Sequence, residues 1–351
     1  MNELDQALSR IHSCSFEYGM GETSHAAMMV GALEALGHKS LIEAFLDVYL
    51  PRLGLLGDGE LIPSEARSTA LGSARGEDWL RTLEVESGSA GWRDLLHEQL
   101  PVLVEGAFGA GLYGSHRASW AVRNLELEDS AERRTELLFA LSYWASRHVP
   151  VPVRAGLEPE RGWTPNRILA EFDGTPASAG GFENQADAWA SLSDSTLYQD
   201  SLKRADLDAR DPSDFLSELC AEAAGLYLAN PEHRLVHAHG LIGASGFRYL
   251  IPHLDSQGTK SALGAALHSV AAPHSLYGGS GRRVSPAPEA QPLSESWDEM
   301  RYRAACSLSE PVTELTEVCW REDRIHPDPR FRLAAADAIL ELGFSHGGRG
   351  G

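Results

Sequence analysis

The spacing of apolar residues limits this chain more than any other feature. They recur at three- and four-residue intervals in one segment after another, and the strict alternation of a half-buried strand is almost missing. In residues 24–37, Met28, Met29, Ala32, Leu33 and Leu36 mark one face of a helix that Gly37 stops. Thr23 and Ser24 are its candidate caps, and His25 falls in its first turn. A second helix, LIEAFLDVYLPRL, completes a helical hairpin. This spacing predicts an all-α protein: a large single helical domain of packed helical hairpins around a central buried pocket.

Further helices are expected over residues 2–12, from Trp92 onward with Pro101 at a start or bend, and over 130–148, 184–205 and 212–230. A small-residue helix, KSALGAALHSVAAPHSLYG, and two closing helices over 295–320 and 329–342 complete the set. Residues 54–76 read as loop, and GAFGAGLYGS at 106–115 as a tightly packed or broken helix beside a cavity. An irregular connection, 149–183, separates an N-terminal half of about 1–150 from a C-terminal half of about 184–345. Residues 278–293 are expected to be a mobile loop and 345–351 a disordered tail.

A chain of 351 residues can bury a large core. Its 50 acidic against 30 basic side chains leave a formal net charge of −20, which opposes phosphate backbones and anionic lipid. No nucleic-acid partner is expected. No apolar run is long enough to span a membrane and no secretory signal is visible, so a cytoplasmic location is expected. Cys14, Cys220, Cys306 and Cys319 are widely spaced and lack metal or redox spacing, so they read as free thiols. Oligomeric state is not legible.

The segment richest in chemistry is residues 235–254, LVHAHGLIGASGFRYLIPHL. His237 and His239 stand two apart there, followed by Gly240, Gly243, Ala244, Ser245 and Gly246. Small residues let another backbone approach, and the segment reads as one wall of a buried polar pocket. Of the 14 histidines, His12, His38, His148, His326 and His346 lie at termini, helix ends or loops, where solvent explains them. His25, His116, His237, His239 and His274 adjoin small or apolar residues. For each of these, a hydrogen-bonded structural role competes with metal ligation or acid–base work. No G-x-S-x-G and no lysine-bearing phosphate loop is present, and no nucleotide site is expected.

Four segments together resemble the questin oxidase-like proteins: S-H-A-A-M-x-x-x-A-L-x-x-L-G at 24–37, G-S-H-R-A-S-W-A-V-R-N-L at 114–125, A-L-S-Y-W-A at 140–145, and H-A-H-G with F-R-Y-L-I-P-H-L inside 237–254. The resemblance implies a helical oxygenase of polyketide tailoring that acts on anthraquinone-like aromatics. It also implies a non-haem iron held by histidines and a carboxylated lysine. His25 and His239 fall on two of the family's histidines and are the candidate metal ligands. Where the family carries H-G-x-I-R, this chain reads Tyr113-Gly114-Ser115-His116-Arg117. Where it carries H-G-D-E-H-x-I-K, this chain reads Ser307-Leu308-Ser309-Glu310-Pro311-Val312-Thr313-Glu314, without either histidine or the lysine. A phenol is a far poorer ligand than imidazole for a divalent ion, and the Glu314 arm is shorter than a carboxylated lysine.

The expectation is a tailoring enzyme of secondary metabolism that oxidises or cleaves an aromatic polyketide. His25, Tyr113, His239 and Glu314 are its candidate catalytic residues; His116, Arg117, Trp120, His237 and His274 are its candidate substrate contacts. Two alternatives stand beside it. One is a cofactor-free cyclase, dehydratase or isomerase that works by acid–base chemistry in the old metal pocket. The other is a non-catalytic ligand-binding protein.

Overall fold

The computed structural model describes residues 2–19, 21–88, 91–150, 163–176, 178–182, 185–205, 207, 210–278 and 295–343. Among them the chain forms seventeen α-helices and a two-stranded hairpin, so the all-α expectation holds. The chain divides into two compact units: residues 1–150 with 246–258, and residues 151–245 with 259–351.

The first unit contains α1 (Glu3–Ile11), β1 (Glu17–Tyr18), β2 (Glu22–Thr23), α2 (Ala26–Ala35), α3 (Ile42–Tyr49), α4 (Arg67–Ala70), α5 (Gly76–Ser87), α6 (Trp92–Leu103), α7 (Tyr113–Leu127) and α8 (Ala131–Ser146). The Asn2 side chain caps α1 by accepting the Asp5 N–H at 2.8 Å, and Leu4, Ala7, Leu8 and Ile11 form its buried stripe. Helix α2 is buried on every side from Ala26 to Leu33, and it packs on α1, α3 and α7. It carries no charge before Glu34, as a helix enclosed by others requires. The cap differs from expectation. His25 takes the N-cap position, with no side-chain cap hydrogen bond. Thr23 instead sits in β2, where its hydroxyl shares a 2.6 Å hydrogen bond with the Tyr143 phenol.

The glycine-rich run 106–115 does break the helical path, for a reason visible in the packing. A Cβ on Gly106 would come within 2.1 Å of the His148 ring. One on Gly109 would lie 1.2 Å from the Arg147 carbonyl oxygen, and one on Gly114 2.7 Å from the Trp144 Cα. Three glycines therefore press this run against the end of α8. The chain then turns through Ala110, Gly111 and Leu112, all left-handed at φ 50°, 61° and 75°, before α7 begins at Tyr113. Pro101 lies inside the last turn of α6 rather than at a start.

The second unit contains α9 (Pro165–Ala170), α10 (Gln185–Ala190), α11 (Thr196–Leu202), α12 (Pro212–Ala229), most of α13 (Arg234–Leu250) and α14 (Ser256–Tyr277), α15 (Trp297–Cys306), α16 (Glu310–Ile325) and α17 (Pro329–Glu341). Asp211 caps α12, as expected, accepting the Ser213 N–H at 2.8 Å. Helix α17 packs on α12, α15 and α16. Helices α13 and α14 meet closely at Gly240, where a Cβ would stand 2.7 Å from the Ser269 carbonyl oxygen. The single helix expected over 295–320 is two, α15 and α16, parted at Leu308 with φ 48°. The helix expected over 184–205 is likewise broken into α10 and α11. Apart from Gly278, the loop expected over 278–293 lies outside the described residues, as does the tail over 345–351.

Candidate functional site

In the first unit α2 and α7 run side by side in the same direction. His25 at the start of α2 meets Tyr113 at the start of α7, with ring centroids 4.4 Å apart and planes crossed at 72°. Further along both helices, Gly31 meets Trp120 so closely that a Cβ would come within 2.8 Å of the indole Cε3. The approach at Gly31 sets the separation of the helices, and their shared direction brings both N-termini to one place. Neither first turn carries an acidic side chain, and neither N-cap side chain bonds a backbone N–H. The positive ends of two helix dipoles therefore sit together at His25 and Tyr113. Both rings are half-buried. Tyr49 fixes the entry to α2: its phenol oxygen accepts the His25 backbone N–H at 2.9 Å.

His116 follows Tyr113 by one turn on α7, with ring centroids 6.4 Å apart. One turn further, the Trp120 indole N–H donates to His116 Nε2 at 3.0 Å. His116 and Trp120 are both buried. The Arg123 guanidinium lies over the Trp120 ring, 4.6 Å from its centroid. Four sequence-predicted residues, His25, Tyr113, His116 and Trp120, are thus brought into one row.

Arg117 is drawn elsewhere. Its guanidinium donates to both Glu136 oxygens, at 2.6 and 2.9 Å, and lies over the Phe16 and Phe139 rings. Glu136 also bonds His12 Nε2 at 3.0 Å, and these partners hold its carboxyl at about 2 despite complete burial. Arg117 therefore braces α7 on α8. His12, expected to be merely solvent-exposed, is part of this brace and stacks on Phe139.

The second unit holds the other predicted residues. His237 and His239 lie on α13, where two positions amount to about 200° of rotation, so they cannot share one wall. A strand would have aligned them; a helix separates them. His237 is 3% exposed, and its Nε2 has no hydrogen-bond partner among the described residues. Burial first, then the neighbouring His274 and His233, push its pKa down to about 3. His274, also buried, bonds Asp173 Oδ1 through Nε2 at 3.0 Å and meets the Phe172 ring edge-on. Asp173 and His233 were not picked out from sequence, although His233 stands four residues before His237, in the turn just ahead of α13. His239 is half-buried on α13. Glu314 is buried on α16 within a helix whose Thr313, Thr316, Glu317 and Glu322 are also buried.

A buried pair in this unit also escaped the sequence reading. The Tyr198 hydroxyl and His268 Nδ1 share a 2.7 Å hydrogen bond. Burial raises the Tyr198 pKa well above its usual value and lowers that of His268 to about 3. His268 looks, in sequence, like one more residue on an apolar helix.

The donor set expected for iron does not fit the residues around His25. Its ring neighbour is a phenol, and the Nε2 lone pair of His116 is engaged by an indole. Among the described residues no group of three or more histidine, cysteine, aspartate or glutamate side chains is arranged to hold a metal ion. No described helix is long and apolar enough to cross a membrane. Comparison with known proteins finds no matching family model and no matching curated protein.

Proposed function

We propose that the protein is a cofactor-independent tailoring enzyme acting on a phenolic or enolic aromatic small molecule of polyketide type. The contact of His25 with Tyr113 at two converging helix N-termini carries this reading. An imidazole removes or returns a proton near neutral pH, and a phenol beside it donates one. The adjoining helix ends favour the negative oxygen that forms when a phenol or enol loses its proton. Cyclisation, dehydration and isomerisation of hydroxylated polyketides all pass through such an anion. The substrate class rests on the resemblance to questin oxidase-like proteins together with the aromatic rings lining the row. His239 and Glu314, in the second unit, are not needed for this chemistry.

The oxygenase expectation rests on the resemblance alone, and oxygen is the discriminating variable. Purified protein incubated with a hydroxylated anthrone, or with a polyketide that can still cyclise or lose water, is expected to form product equally well in air, without oxygen, and with chelator. His25→Ala and Tyr113→Phe should each lower kcat by about 10²-fold or more, the usual worth of a positioned acid or base. Product formation that consumes oxygen, or that follows stoichiometric iron through removal and restoration, would replace this reading with the oxygenase.

A further inference from the structure

Indole nitrogen is a donor only, so the 3.0 Å bond from Trp120 to His116 has one direction. His116 Nε2 must carry a lone pair, and the imidazole proton must then sit on Nδ1. From this we infer that Trp120 is a positioning residue of the site. It holds His116 as the neutral Nδ1–H tautomer, a hydrogen-bond donor that is neither the general base nor a metal ligand. The inference rests on the acid–base reading above and divides the labour within it: His25 exchanges the proton, and His116 supplies a fixed N–H.

Several features keep the indole where it is. The donor and acceptor are four residues apart on α7, so they face the same way one turn apart. Gly31 lies against the indole edge and leaves no room for it to swing toward α2. The Arg123 guanidinium over the ring withdraws electron density and strengthens the N–H as a donor. Trp120 is 5% and His116 3% exposed, so water does not replace the bond when it breaks. Protonating Nε2, or placing a metal there, would leave the Trp120 N–H buried without an acceptor. The tautomer is thus set by a side chain that itself has no chemistry to perform, as outer partners commonly set histidine tautomers.

Long-range nitrogen–proton NMR on the full chain labelled in its histidine rings tests this, with His116→Gln assigning the signals. The expected result is a pyrrole-like Nδ1 and a pyridine-like Nε2 that do not titrate between pH 5 and 9. Trp120→Phe keeps a ring in the space but removes the donor. It should abolish the single tautomer. In turnover, the same variant should lower kcat by up to about 10²-fold, the range for losing an aimed donor, with KM little changed. A wild-type His116 protonated on Nε2 would overturn the inference by itself, even where Trp120→Phe fails to fold. So would an unchanged tautomer in a folded Trp120→Phe protein. The NMR signals do not depend on turnover. An inactive protein with the expected tautomers would therefore count against the proposed function and still support the role of Trp120.

Discussion

Acid should destabilise the second unit before carboxylate protonation begins, because two of its histidines are buried in the neutral form. His237 and His268 each have a pKa lowered from 6.5 to about 3, chiefly by burial. Below pH 6.5 the unfolded chain binds two protons that the folded chain refuses until about pH 3, so stability is full above 6.5 and falls with pH. Each such proton is worth about 1.4 kcal/mol per pH unit once the unfolded groups are protonated. For the pair, the loss relative to neutral pH is about 3 kcal/mol at pH 5.5 and about 5 kcal/mol at pH 4.5, a large share of ordinary domain stability. Glu34 and Glu86, whose pKa values burial raises, work in the opposite sense in the first unit. Glu136, held at about 2, adds its own loss only below about pH 4.5. Urea denaturation followed by circular dichroism at half-unit steps from pH 7 to 5 gives the slope directly. His237→Leu removes one titrating ring and should flatten the slope by about 1.4 kcal/mol per pH unit. Equal slopes in the two proteins, or none between pH 6 and 5, would refute the assignment of neutral buried imidazoles.

Other substitutions probe the packing. Gly109→Ala should cost about 3 kcal/mol or more in thermal or urea denaturation, since the new methyl would overlap the Arg147 carbonyl oxygen. Gly111→Ala meets only left-handed strain at φ 61° and should cost about 1 kcal/mol; equal losses at the two sites would contradict the packing account. Removing Arg117 as Arg117→Ala leaves Glu136 buried with only His12 beside it and should cost about 3–5 kcal/mol. Arg117→Met combined with Glu136→Leu should cost much less than the two single changes added together, and additivity would show the pair to be uncoupled.

The helical class was legible because burial imposes a period on sequence. Leu4, Leu8 and Ile11 in α1 and the fully buried run of α2 announce themselves without knowledge of any partner. Caps that act within one turn were legible too: Asp211 on α12 needs only the N–H groups two and three residues ahead. The failures came where the deciding contact is distant in sequence. Thr23 was a plausible cap until Tyr143, 120 residues away, took its hydroxyl. The helix expected over 295–320 parts at Leu308, whose left-handed backbone no propensity foretells.

The site divides along the same line. Sequence by itself determined which residue types were at hand, the imidazoles of His25 and His116, the Tyr113 phenol and the Trp120 indole. It also determined that the last three share a helix, since that needs only the 3.6-residue turn. Tertiary structure alone decided that His25 meets Tyr113, because that depends on α2 and α7 approaching at Gly31, 89 positions before Trp120. It alone drew Arg117 to Glu136 and paired His274 with Asp173. A side chain's type is written in the chain, but its protonation, partner and direction depend on what the fold brings within about 3 Å of it.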